Sequence, residues 1–172
     1  NAAAAYRLLD EQPETAVHLH AYLELRLDAD LVVGLVVWER AFRTARQNWQ
    51  FGEAARLLAL VKRYSLSPQQ RGVIRSLQGH LLAQQARWRE AVAAYEQSLS
   101  LFPDNPNTLS GLGNALRRLE GRASEATDYY QRSLTLADAA ARPALVNNLG
   151  LAYYEAGRLD EAEEVWQTAV AA

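Results

Sequence analysis

The chain has 172 residues and a formal net charge of −2; it is 49% hydrophobic and 22% charged. That balance fits a folded chain and excludes disorder, collagen-like structure and a global pull toward nucleic acid or anionic membrane. Cysteine is absent, which excludes disulfides, thiolate catalysis and cysteine-ligated zinc.

Helix formers dominate throughout, and the elements follow in chain order. Asn1–Asp10 reads as the remnant of a first helix. Pro13 and Glu14 mark a helix start, with proline and acid in the first turn. Ala16, Leu19, Leu23 and Leu27 then recur at helical spacing. Asp28-Ala29-Asp30 reads as the exit of that helix and the cap of the next. Leu31–Trp38 is the most apolar run, far short of the ~20 residues that span a bilayer. Helices are predicted near 2–10, 14–27, 30–47, 51–65, 69–86, 88–101, 106–119, 122–137, 142–156 and 159–171. The last ends in an apolar, uncapped stretch, Val165 to Ala172. We expect further repeats or a partner to cover it. With no methionine and Asn1 first, the chain reads as an internal or processed piece. Lys62 is the only lysine among 18 basic residues, a bias that fits a GC-rich bacterial genome.

A period runs through these helices. Ala54, Ala91, Ala126 and Ala162 are separated by 37, 35 and 36 residues, and Gly79, Gly113 and Gly150 by 34 and 37. Spacing in the mid-thirties marks stacked helix pairs. The glycines fall mid-helix, where glycine costs about 1 kcal/mol against alanine. That loss predicts the close approach of a partner helix. Tyr95, Tyr130 and Trp166 follow the alanines by four residues, on the same face, and are expected to fill the gaps between pairs. An extra residue at Glu120–Gly121 predicts a loosened turn, and Ala137–Arg142 a lengthened loop.

The last unit reads Val146-x2-Leu149-Gly150-x2-Tyr153, then Ala162-x3-Trp166. The one before reads Leu109-x2-Leu112-Gly113-x2-Leu116, then Ala126-x3-Tyr130. The one before that reads Arg75-x2-Gln78-Gly79-x2-Leu82, then Ala91-x3-Tyr95 and Pro103. Trp38-x2-Ala41-Phe42-x2-Ala45, then Ala54-x3-Leu58, is a weaker version. Over roughly residues 35–172 this resembles the tetratricopeptide repeat pattern. The resemblance implies an all-α fold, a right-handed α-solenoid of antiparallel helix pairs. Its expected divisions are degenerate helices or a partial repeat at 1–34, a degenerate unit at 35–68, and repeats at 69–105, 106–142 (with insertions) and 143–172, the last without a capping helix.

Nothing in the sequence composes an active site. His18 and His20 are two apart on a helix and face apart, so they cannot share a metal. Asp160, Glu161, Glu163 and Glu164 lie in the first turns of a helix, where the dipole favours acids. Gly111-Leu112-Gly113 lacks the lysine and the strand of a phosphate loop. We therefore expect no catalysis, no cofactor and no metal.

The resemblance implies binding instead, since the first helix of each tetratricopeptide pair lines a concave groove. Carried over by position, the groove presents Arg40, Arg43 and Gln47; then Ser76, His80 and Gln84; then Asn114, Arg117 and Arg118; then Asn147, Asn148 and Leu151. Asparagine amides both donate and accept, so they suit a peptide backbone. The arginines would favour an acidic ligand. The family's chaperone-tail clamp would need Lys, Asn and Arg where this chain has Ser76, His80, Gly111, Ala144 and Asn148, so that ligand is not expected. The expected role is a cytoplasmic scaffold for a protein or peptide, without nucleic acid or membrane. Two alternatives are the regulatory arm of a larger bacterial signalling ATPase, and self-association through the uncapped C-terminal end.

Overall fold

The computed structural model describes residues 15–170. Among them every regular element is a helix, and the chain divides into two compact units, Asn1–Ser65 and Leu66–Ala172. The predicted helix near 2–10 lies outside the described residues.

The first unit contains α1 (Thr15–Ala29), α2 (Leu31–Gln47) and α3 (Phe51–Val61). Asp30 caps α2 as the sequence predicts, its carboxylate accepting from Val32 N and Val33 N at 3.0 and 3.2 Å. Gly34 allows α1 and α2 to cross closely: a Cβ there would lie 2.7 Å from Leu27 Cα. Trp38 and Phe42 are buried and stack with ring centroids 5.5 Å apart. The Trp38 indole donates to Leu57 O at 2.7 Å, so its polar edge is satisfied in the core. The third helix ends at Val61, short of the predicted 65. Past it the chain turns back onto α1: Arg63 donates to Glu24 at 2.7 Å, and the Tyr64 hydroxyl to Asp28 at 3.0 Å.

The second unit is a stack of three helix pairs. They are α4 (Pro68–Gln84) with α5 (Trp88–Leu101), α6 (Pro106–Arg117) with α7 (Ala123–Leu136), and α8 (Arg142–Glu155) with α9 (Leu159–Val170). Each first helix carries proline in its first turn, where the missing N–H goes unneeded. Ser67 and Gln70 form a capping box at α4, and Asn105 caps α6 through Thr108 N at 3.1 Å. The first helices also touch across pairs, α4 with α6 and α6 with α8. No comparable packing joins α5 to α7 or α7 to α9 among the described residues. The first helices thus form the tighter layer of this unit.

The anomalies fall where the spacing put them. The turn at 118–122 is longer than its counterparts at 85–87 and 156–158. In the link after α7, Asp138 takes the expected proline's place and accepts from Ala141 N at 2.9 Å. Each helix-pair turn uses one left-handed residue in the same register: Trp49, Ala86, Gly121 and Gly157.

The partner helix approaches the glycines through an aromatic side chain. A Cβ on Gly79 would lie 2.6 Å from Tyr95 Cε1, and one on Gly111 2.7 Å from Tyr95 Cζ. Tyr95 therefore lies between α4 and α6, 1% exposed. Gly113 meets Tyr130 at 2.9 Å, and Gly150 meets the Trp166 indole. The ring fills the space that a methyl group would take. In the first unit the same register reverses the sizes, with Phe42 at the glycine position and Leu58 at the ring position, both buried.

These contacts decide the sign of a mutation. Gly79→Ala gains about 1 kcal/mol of helix propensity. It must also displace a ring blocked on its far side by Gly111, an overpacking worth about 1–3 kcal/mol. We expect net destabilisation in urea unfolding. In a Tyr95→Leu background the same change is expected to be neutral or stabilising. Destabilisation in both backgrounds would detach the glycine from the ring.

Candidate functional site

The sequence-derived positions belong to four first helices, and the structure treats them differently. On α2, in the first unit, Arg40, Arg43 and Gln47 are exposed. The Arg43 guanidinium is held by Glu39 one turn earlier, at 3.0 and 2.7 Å. The same helix face carries Val32 and Val36, each 67% exposed, which the charged part of the pattern did not single out.

In the second unit three residues turn inward. Ser76 is 5% exposed, and its oxygen accepts from the Thr108 hydroxyl at 2.8 Å. Ser98 donates to Gly72 O at 2.7 Å and lies 3.4 Å from Thr108, so a polar chain of three hydroxyls joins α4, α5 and α6. Ser76 is thus part of the packing between pairs and offers nothing to a ligand. Gln84 is half-buried, and its amide oxygen is sealed from solvent. Arg117, 13% exposed, forms a two-point pair with Glu155 across from α6 to α8, at 2.8 and 2.6 Å.

The outward positions are Asn114, Arg118 and Asn147, with Asn148 and Leu151 half-buried beside them. Arg118 lies over the Trp88 ring, 5.8 Å from its centroid. Asn114 is anchored from below: its Oδ1 accepts from the Tyr130 hydroxyl at 2.8 Å. His80 stands one repeat earlier in the same register, and its Nδ1 lies 2.8 Å from the Tyr95 hydroxyl. Leu151 is the third of this series, and Trp166 beneath it has no hydroxyl.

Burial pushes the Tyr130 phenol up to about 12, partly offset by Arg117 beside it. It is a neutral hydrogen-bonding group at any ordinary pH. The hydrogen bonds from Arg117 hold the Glu155 carboxyl below its usual range, and the same bonds raise Arg117. Tyr130 and Glu155 belong to this site as much as the asparagine does. The sequence signal for Tyr130 was its hydroxyl, which a ring chosen only to fill space does not need.

Among the described residues no group of three or more His, Cys, Asp or Glu side chains could hold a metal ion. The acidic run at the start of α9 is engaged locally, with Glu161 accepting from Arg158 at 2.9 Å. No helix there is long and apolar enough to cross a membrane.

Stacked helix pairs with a ring-for-glycine exchange in each define a helical-repeat protein. The comparisons specify which. Residues 70–139 match the family model described as tetratricopeptide repeat. Over those residues the chain carries tetratricopeptide repeats. Anaphase-promoting complex subunit 6 of Dictyostelium discoideum is 41% identical over 59 residues, which is 34% of this chain and 7% of that protein. The chain therefore matches only a small part of that relative's length. Among solved structures, MamA is similar at a TM-score of 0.67 and 16% identity, over 88% of this chain and 84% of that one. A chain of nearly identical TPR-like repeats from Podosopora anserina reaches 0.68 and 19%, over 99% and 92%. YrrB, described as a TPR protein with an unusual peptide-binding site, reaches 0.64 and 16%, over 99% and 92%. These likenesses concern the fold.

The Arg117–Glu155 pair predicts an acid limb in stability. Glu155 titrates lower when folded than the 4.5 of a free glutamate. Its contribution is present above about pH 4.5 and is lost as pH falls through the folded value. Glu155 is 39% exposed, so solvent screens the pair. We expect Glu155→Gln to cost about 0.5–1 kcal/mol at pH 7. The native and variant curves should converge below pH 4. Parallel curves from pH 7 to 3 would show that the pair contributes nothing.

Proposed function

We propose that this chain is a non-catalytic scaffold that holds an extended segment of another protein against the first helices of the second unit. One observation carries the reading: Asn114 is exposed while its amide oxygen is engaged by a buried hydroxyl, so its N–H groups face outward. Asn107 and Asn147 extend the exposed amides along α6 and α8. Amides bind a peptide main chain without reading its side chains, at about 0.5–1.5 kcal/mol for each bond. Helices about 10 Å apart give three first helices a span near 20 Å, room for about six extended residues. The match of residues 70–139 to the tetratricopeptide repeat model supports a protein or peptide partner, and YrrB offers a precedent on a similar fold. Arg43 and Arg117 are each paired with a glutamate, so an acidic ligand draws less support from them than the amides lend to a main chain.

The test is selection of nine-residue peptides on the native chain from a display library, followed by affinity measurement on variants. Asn114→Ala and Asn147→Ala are each expected to weaken binding about five- to tenfold. Arg89→Ala, an exposed change on α5, is expected to leave it unchanged. An empty selection, or native affinity in both asparagine variants, would move the binding surface elsewhere.

A further inference from the structure

A free asparagine amide turns over and shows a ligand either its oxygen or its nitrogen. At Asn114 the fold removes that choice. Tyr130 is 0% exposed, and its ring is held against Gly113, where the nearest atom, Cζ, is the one that bears the hydroxyl. That hydroxyl lies 2.8 Å from Asn114 Oδ1. Arg117 stands beside the same phenol and is fixed by Glu155. An amide oxygen only accepts, so the phenolic proton is directed to Asn114. The amide oxygen is drawn inward and the NH2 group is left facing out. Phenylalanine at this position would fill the same space without fixing anything. The Tyr95–His80 contact, also 2.8 Å, repeats the arrangement one pair earlier. At Leu151 over Trp166 it cannot form.

We propose that Tyr130 is a positioning residue for ligand binding: its hydroxyl fixes Asn114 as a pure donor, so this subsite takes a main-chain carbonyl of the bound segment and rejects an N–H. This rests on the peptide reading above and adds the polarity of the site.

The test is a double-mutant cycle with Tyr130→Phe, Asn114→Ala and the pair, using a selected nine-residue peptide as probe. Tyr130→Phe keeps the ring and the packing, and thermal unfolding of each variant checks the fold. We expect Tyr130→Phe to weaken binding about fivefold, and the double variant to be no weaker than Asn114→Ala alone. A second readout needs no ligand. The Asn114 side-chain NH2 should give two dispersed NMR signals in the native chain and move toward free-amide values in Tyr130→Phe. If Tyr130→Phe binds like the native chain while Asn114→Ala is weak, the positioning role is wrong and the peptide reading stands. If the two losses simply add, Tyr130 acts without Asn114 and the inference falls. Native affinity in both variants removes the peptide reading and this inference with it.

Discussion

The contact between a glycine on one helix and an aromatic ring on the next is what the rest of the second unit depends on. A ring placed 2.6 Å from where a Cβ would stand is tolerated because no Cβ is there. The same ring then reaches the following pair, as Tyr95 does from Gly79 to Gly111. One side chain therefore sets spacing both within a pair and between pairs. The small alanines opposite are each 0–1% exposed and admit the neighbouring helix at the same level. Dense packing of this kind leaves little freedom to slide, so the first-helix faces are held in fixed register.

The polar groups inside are arranged on the same frame. Ser76, Thr108 and Ser98 are buried together; Thr108 donates to Ser76, and Ser98 to the Gly72 carbonyl. Ser133 repeats the device in the next pair by donating to Pro106 O at 2.8 Å. The hydroxyls at the ends of the large rings form a second layer nearer the surface, where they meet His80 and Asn114. Apolar volume, buried hydroxyls and surface amides thus lie in order from the core of each pair outward.

Much of this could be read from the chain. The glycine and alanine spacing located the pairs, and proline and cap residues located their starts, because those signals act within one turn of helix. The longer turn near Gly121 could be counted directly. What escaped reading depends on distances between helices. Ser76 falls on a polar stripe and looks like surface, yet α6 comes close enough for Thr108 to bury it. Arg117 looks like a free cation, since Glu155 stands 38 residues away and meets it only when α8 is in place. Tyr130 was legible as a ring and not as a donor. Its bond to Asn114 spans two helices whose relative rotation no local pattern encodes.

The reversal of sizes in the first unit has a consequence for how such chains diverge. Phe42 and Leu58 occupy the register that glycine and tyrosine hold later. Each arrangement is consistent within itself, and the mixed ones are not: phenylalanine facing tyrosine would collide, and glycine facing leucine would leave a void. A helix pair copied as a whole therefore keeps its own ring and glycine together. A single helix moved between repeats of the two kinds carries half of a lock that no longer closes. A cut between pairs keeps each ring with the glycine of its own pair, while Tyr95 still requires Gly111 on the far side of the cut.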